Sequence, residues 1–404
     1  MFGVFARLVG QQAVESELLA AATAARGAGS LGTAGSAGMT HAWLVTGPPG
    51  SGRSVAALCF AAALQCTDPQ APGCGRCRSC TTTMAGTHPD IRRVIPEGLS
   101  IGVDEMRVIV AGAARRPSTG RWQVVLIEDA DRLTEGAANA LLKVVEEPPP
   151  STVFLLCAPS VDPDDIAITL RSRCRHIALT TPTSAAIAEV LMASDGLDEQ
   201  RARWAAGVSG GHIGRARRLA TDSDARDRRA RALGLAREAT VAARAYAAAE
   251  ELVAAAETEA RGVTAARNEI EEAELRTALG AGGTGKGALG ALRGSAGALK
   301  ELERRQKSRH TRASRDALDR ALIDLASFFR DALMLSGKPT EVMPYHPDMA
   351  DQIAALSAHA SPTQLLRCIE AVLACREALA RNVKPKFAID ALVATVGQQL
   401  RPSR

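Results

Sequence analysis

Aromatic side chains are scarce, at 3% of the 404 residues, with three Trp, two Tyr and seven Phe. A chain so poor in rings does not build its cores from aromatic clusters. With Ala abundant, much of it must be helix packed through small residues. Long apolar runs are missing too, since none reaches the ~20 residues that cross a bilayer. The amino terminus carries Glu15 and Glu17 in an amphipathic helix instead of a signal-peptide pattern, so the expected compartment is the cytoplasm. A strong charge bias is also absent: the net charge of +5 permits a nucleic-acid partner without requiring one. What is present is 46% hydrophobic residues, enough for the cores of about two or three domains. Four of the nine cysteines fall between Cys66 and Cys80, an uneven placement that argues against a disulfide framework and for a metal.

The most informative stretch runs from Ala138 to Pro149. Residues Ala138–Glu147 read as a helix with Leu141, Leu142, Val144 and Val145 on its buried face, and the run Pro148–Pro150 forbids its continuation. It hangs from a strand, Trp122–Ile127, that ends in Glu128 and Asp129, the place where a central parallel strand delivers acidic groups to a phosphate site. A second strand, Val153–Cys157, leads on to Ser172-Arg173-Cys174.

Earlier in the chain, a strand at Ala42–Thr46 runs directly into Gly47-Pro48-Pro49-Gly50-Ser51-Gly52-Arg53-Ser54 and then into a helix reaching Gln65. That is P-loop spacing, in which backbone N–H groups and a helix amino end cradle phosphates, a Lys neutralises them and a hydroxyl holds Mg²⁺. Arg53 stands where Lys is expected. It keeps the charge but aims a bulkier planar fork, so Gly47, Pro49, Gly50, Ser51, Gly52, Arg53 and Ser54 could hold a nucleotide while placing its terminal phosphate poorly. The alternative is a glycine turn that merely joins strand to helix. Glu128 and Asp129 are either the metal-holding and water-activating pair, in reversed order, or a cap for the following helix.

Cys66, Cys74, Cys77 and Cys80 have two successive two-residue spacers, so neighbouring thiolates can point at one centre and the fourth closes a tetrahedron, as structural zinc requires. Four thiolates leave no open position for catalysis.

The remaining segments follow by periodicity. A helix is expected over Gln11–Arg26, a surface loop over Gly27–Gly38, a strand at Ile91–Ile95 after the turn His88-Pro89-Asp90, and a helix over Val103–Ala114. A short strand at His176–Leu179 completes a five-stranded parallel sheet. From Thr180 onward only helices are expected: Ser184–Ala193, Asp198–Val208, Ile213–Leu219, a long Ala/Arg/Glu-rich tract to Ala278, a Gly-rich loop over 280–297, then Leu299–Arg312, Arg315–Ser336, Pro347–Ala358, Pro362–Arg381 and Pro385–Leu400. Basic residues such as Arg92, Arg93, Arg115 and Arg116 read as solvated face.

The combination of Gly47–Ser54, the four cysteines, His88-Pro89-Asp90, Ala138–Pro149 and Ser172-Arg173-Cys174 resembles the clamp-loader branch of the AAA+ ATPases, and within it the delta-prime type of subunit of bacterial DNA polymerase III. The resemblance covers roughly residues 1–220. It implies a RecA-like α/β domain over 1–179 with an inserted zinc module at 66–80, a small helical lid over 180–221 and an all-α collar for oligomerisation over 222–404. It also implies delta and gamma/tau subunits as partners, and a complex that uses ATP to open the sliding clamp and place it on primer-template DNA, within a DNA-directed DNA polymerase holoenzyme.

Three departures separate this chain from the motor subunits of that branch. Arg53 replaces Lys, Glu128-Asp129 replaces Asp-Glu, and Gly214 falls where a motor's second sensor presents Arg. Together they imply a weak or silent ATPase, in which ATP and Mg²⁺ are poorly served by the chain's own site. The Ser-Arg-Cys triplet is intact, which implies that Arg173 acts as an arginine finger in trans on a neighbour's γ-phosphate. Its alternative is a surface Arg paired with a local carboxylate. Two further readings stay open: a gamma/tau-type motor that hydrolyses ATP by itself, and an AAA+-like DNA-binding regulator.

Overall fold

The structure is a computed structural model that describes residues 3–27, 38–278, 288–337 and 344–401, with backbone alone for 288–296. Most of the loop expected at Gly27–Gly38 and residues 280–287 of the expected Gly-rich loop lie outside the described residues. The chain divides into two compact units, Met1–Arg217 and Arg218–Arg404, and the division falls inside a helix.

The first unit is built on five strands: β1 (Ala42–Thr46), β2 (Ile91–Val94), β3 (Gln123–Ile127), β4 (Thr152–Ala158) and β5 (Arg175–Ala178). They form one sheet in the order β2-β3-β4-β1-β5, with every pair parallel. β1 and β4 are buried at every position, as strands covered on both faces must be, which is why they read as unbroken apolar runs. The two-residue side-chain period sorts them into two layers. Trp43, Val45, Val124, Leu126, Leu155 and Cys157 pack in one core, while Leu44, Val125, Ile127, Phe154 and Leu156 pack in the other.

Helices cover both faces: α1 (Gln12–Gly27), α2 (Arg53–Gln65), α3 (Arg78–Met84), α4 (Val103–Ala113), α5 (Glu135–Glu146) and the single turn α6 (Ile168–Arg171). Within the stretch Ala138–Pro149, residues Ala138–Glu146 form the body of α5, and Glu147 caps its carboxyl end. Thr134 caps it by accepting from the Ala137 amide, and Ala137, Leu141 and Val145, spaced four apart, form its buried row. Leu142 and Val144 are only partly buried, so the apolar face is narrower than expected. The expected elements gain or lose one to three residues at several ends, and α3, hidden among the cysteine spacers, was not expected at all. Three helices, α7 (Ser184–Asp195), α8 (Glu199–Gly207) and α9 (Ile213–Thr221), follow the sheet.

The second unit is all helix: α10 (Ser223–Glu238), α11 (Ala242–Ala278), α12 (Ala288–Ser336), α13 (Ala350–His359), α14 (Pro362–Ala380) and α15 (Pro385–Leu400). Its core interleaves Leu318, Leu322, Leu325 and Phe329 of α12 with Leu365, Val372 and Leu379 of α14 and with Ile389, Leu392 and Val396 of α15. Two expectations are corrected here. Leu299–Arg312 and Arg315–Ser336 are one continuous helix, because the residues between them, Ala313 and Ser314, carry no breaker. The Gly-rich loop does not extend to residue 297, since helical backbone already begins at Ala288, where Ala and Leu outnumber the glycines. No helix among the described residues is long and apolar enough to cross a membrane.

Candidate functional site

Four cysteine thiols meet beyond the carboxyl end of α2. The Sγ atoms of Cys66, Cys74, Cys77 and Cys80 all lie within 4.8 Å of one another, and Cys66 and Cys77 are 3.9 Å apart. A tetrahedral site with ~2.3 Å metal–sulfur bonds needs sulfur–sulfur edges of about 3.8 Å, so the four sulfurs fit a tetrahedral metal ion. Local backbone makes the arrangement: the amide of Cys74 donates to Cys66 Sγ (3.5 Å), that of Cys77 to Cys74 Sγ (3.3 Å) and that of Cys80 to Cys77 Sγ (3.4 Å). Burial opposes charge on Cys77, but the amides of Cys80 and Thr67 overcome it and hold the thiol at about 6. Thiolate is the form a metal takes. The cluster is tied to the sheet domain through the amino-terminal turn, where Val4 N donates to Gly73 O (2.9 Å), and Gly3, at φ +75°, lies so close that a Cβ there would meet Gly73 O at 2.0 Å.

The loop Gly47–Ser54 lies at the carboxyl end of β1, the end where an open α/β sheet binds ligands. Gly47, Gly50 and Gly52 all take positive φ, and α2 begins at Arg53. Gln11 holds the loop in place from the side, with its amide nitrogen donating to Thr180 O (2.6 Å) and Ser51 O (3.4 Å). From above, His212 packs directly on Gly50, where a Cβ would stand 2.5 Å from His212 Cβ. Two buried atoms of the loop have no hydrogen-bond partner, Ser51 Oγ and Arg53 Nη1, so the loop keeps unsatisfied donors suited to an anion.

The acidic pair is engaged differently. Glu128 follows β3 and accepts from Arg93 of β2 through Nε (2.9 Å) and Nη2 (2.5 Å), both on Oε1. The ion pair is only partly exposed, 33% for Arg93 and 15% for Glu128. Asp129 lies 3.9 Å from Arg132 Nε, and it precedes a short 3₁₀ turn, Ala130–Arg132, without capping it through its side chain. The loop therefore fits a phosphate group, but the carboxylate that would hold Mg²⁺ already has a cation. Arg93, expected as solvated face, is a residue of this site.

Ser172, Arg173 and Cys174 form the turn between α6 and β5. Arg173 Nη2 pairs with Glu146 Oε1 of α5 at 2.5 Å, both side chains about two-fifths exposed. Its Nη1 donates to Thr169 O (3.0 Å) and Ser172 Oγ (3.2 Å). The structure thus joins Arg173 to the glutamate that ends α5, at the surface.

His88-Pro89-Asp90 is a structural latch. Asp90, 2% exposed, accepts from Ser118 N and Oγ (2.6 and 2.7 Å), Thr119 N and Oγ1 (2.9 and 3.0 Å) and Gly120 N (2.6 Å). Burial pushes its pKa up, yet these donors win and hold it well below the usual carboxylate range. His88 Nδ1 accepts from Asp90 N (3.2 Å) and, being buried, titrates below its ordinary value.

Sequence reasoning missed Gln11, Arg93 and His212. Arg93 carried a weak signal, a cation in a strand beside the acidic pair. Gln11 and His212 come from segments whose approach to the loop only the fold decides.

Residues 33–183 match the family described as DNA polymerase III, delta subunit. Among curated relatives, the chain is 41% identical over 160 residues to the DNA polymerase III subunit delta' of Pseudomonas aeruginosa, covering 39% of this chain and 48% of that protein. It is 39% identical over 165 residues to the delta' subunit of Escherichia coli, covering 39% and 49%. Against the gamma/tau subunit of Mycobacterium tuberculosis it is 33% identical over 174 residues, covering 43% and 28%. The matched part spans about half the length of the delta' relatives. Over this part the chain resembles the delta-prime subunit of the DNA polymerase III clamp loader.

Proposed function

We propose, taking the delta-prime resemblance of residues 33–183 as premise, that the chain is a clamp-loader subunit of DNA polymerase III. In this reading it helps a complex of delta and gamma/tau subunits open the sliding clamp on primer-template DNA. It lends Arg173 in trans to a neighbouring ATPase subunit and is itself a weak or silent ATPase. Residues 1–179 are the AAA+ domain, with the cysteine module at 66–80 holding Zn²⁺, residues 180–221 with α7 to α9 are the lid, and residues 222–404 are the collar.

The observation that carries this reading is the Arg93–Glu128 ion pair. A motor needs that carboxylate for its metal, and an arginine fork delivered by the adjacent strand satisfies it instead. Arg53 in the loop and Gly214 in the α9 turn point the same way. Arg173 sits on an exposed turn with a surface ion pair, worth about 1 kcal/mol or less, and two exposed local hydrogen bonds to give up, so a stronger partner across a subunit boundary can take it.

Reconstitution of the chain with delta, gamma/tau, clamp and primed DNA tests it. Arg173→Ala is expected to leave assembly intact and to lower DNA-stimulated ATP turnover by tenfold or more, towards the range typical of lost arginine fingers. Undiminished turnover overturns the finger. Brisk hydrolysis by the isolated chain overturns the silent site and favours a motor.

A further inference from the structure

The long hairpin of the second unit, α11 with α12, is not used by the reading above, and its charge is unevenly divided. Along the distal part the two helices meet through Ala260, Thr264 and Leu302, all buried. One inter-helix ion pair locks them, with Arg309 Nη2 on both oxygens of Glu271 (2.8 and 2.9 Å) and Arg309 Nη1 on Asn268 Oδ1 (2.8 Å). Over residues 300–312, α12 carries six Lys and Arg against two Glu, whereas residues 261–278 of α11 carry three Arg against four Glu.

The surplus cations are arranged in a row. Lys300, Arg304 and Lys307, with Thr311 after them, follow the spacing i, i+4, i+7, i+11, which is one stripe of a helix, on the side away from Leu302 and Arg309. Lys300, Arg304, Arg305 and Lys307 are exposed. Among the described residues Lys300 and Lys307 have no carboxylate partner, Arg305 acts on Glu301 through charge alone, and Arg304 pairs with Glu301 on its own helix, a pair 72% and 53% exposed that contributes little. A shallow groove of about 450 Å³ beside Lys307 adds Arg261 and His310, with Glu303 as the one carboxylate in its wall.

We infer that this stripe binds the phosphate backbone of duplex DNA. The stripe spans about 16 Å at 1.5 Å per residue, and duplex DNA advances ~3.4 Å per base pair, so it faces roughly five pairs. The chemistry selects this partner over others. Single-stranded nucleic acid is held by stacking on aromatic rings, and residues 297–315 contain no Phe, Tyr or Trp. A protein partner is anchored by aromatic or apolar residues with lysine depleted, the opposite of this face. A row of flexible cations without a pocket reads backbone charge and no base sequence. The inference rests on the charge pattern of the second unit and does not depend on the clamp-loader reading.

The test uses the full chain and a fluorescent 20-base-pair duplex. Replacing Lys300, Arg304 and Lys307 together by Gln, a comparable helix former, is expected to weaken binding by about tenfold or more in ~0.1 M salt and to make the plot of log affinity against log salt shallower by about 2 to 3. The thermal melt should not move. A control triple in the same unit, Arg237→Gln, Arg381→Gln and Lys386→Gln, should bind like the parent. Equal loss in the control overturns the assignment, as does unchanged affinity and slope in the stripe variant. Displacement of the duplex by polyglutamate at equal charge concentration overturns the choice of nucleic acid, and tighter binding of a single strand than of the duplex overturns the choice of duplex.

Discussion

Arg93 of β2 places two donors, Nε and Nη2, on one oxygen of Glu128 at the end of the neighbouring strand β3. The pairing is built into the sheet. Arg93 is in register with Leu126 and Val94 with Ile127, so the arginine reaches the first residue past the strand without leaving its row.

This relationship predicts how the site treats metal. A fluorescent ATP analogue titrated into the purified chain should bind with the same affinity in Mg²⁺ as in EDTA. Arg93→Gln frees Glu128 and should introduce a Mg²⁺ dependence, read as a several-fold tighter Kd in the metal. A parent chain that already binds only with Mg²⁺ would show that Glu128 is available after all.

The Arg173–Glu146 pair is exposed on both sides, so it should matter little for folding. Glu146→Gln and Arg173→Ala are each expected to shift unfolding free energy by about 1 kcal/mol or less, measured by urea denaturation. In the reconstituted complex the two should part company, with Glu146→Gln keeping ATP turnover and Arg173→Ala losing it. Equal losses in both would make the pair structural.

The cysteine module should carry one metal ion per chain by elemental analysis, and Zn²⁺ is the expected ion because four thiolates form a closed soft site. Chelation, or Cys80→Ser at one of the two buried ligands, should lower the melting temperature of the first unit, because the segment between Cys66 and Cys77 has little apolar packing of its own. Metal should leave as acid protonates the thiolates. Full occupancy in Cys80→Ser would exclude the four-thiolate site.

Asp90 supplies a pH-dependent part of stability. Its folded pKa is depressed, so its contribution is present above the ordinary carboxylate value near 3.9 and is lost as pH falls from there through the folded value. Asp90→Ala, which orphans the donors of Ser118, Thr119 and Gly120, should cost about 3 kcal/mol or more at neutral pH and flatten stability against pH below about 4. An unaltered acid limb in Asp90→Asn would mean that other carboxylates dominate there.

Much of this protein is local chemistry and so was open to inspection in the chain. The glycine spacing of 47–54 demands positive φ wherever it folds. The short apolar runs Ala42–Val45 and Val153–Cys157 fit strands covered on both faces. Cysteines separated by two-residue spacers, at 74, 77 and 80, point at one centre by local geometry. Periodicity also carried the helices, failing where it had to separate a glycine-rich helix start from a loop at Ala288 and where no breaker marked the middle of α12.

What only the tertiary structure decided are the partnerships between segments far apart in sequence. Arg93 and Glu128 are 35 residues apart and meet because β2 and β3 are neighbours in the sheet. His212 reaches Gly50 across 162 positions because helices after the sheet fold back onto the loop. Side-chain charge is written in the sequence, but whether a carboxylate is free for a metal depends on which cation the fold sets beside it, and that is a property of packing.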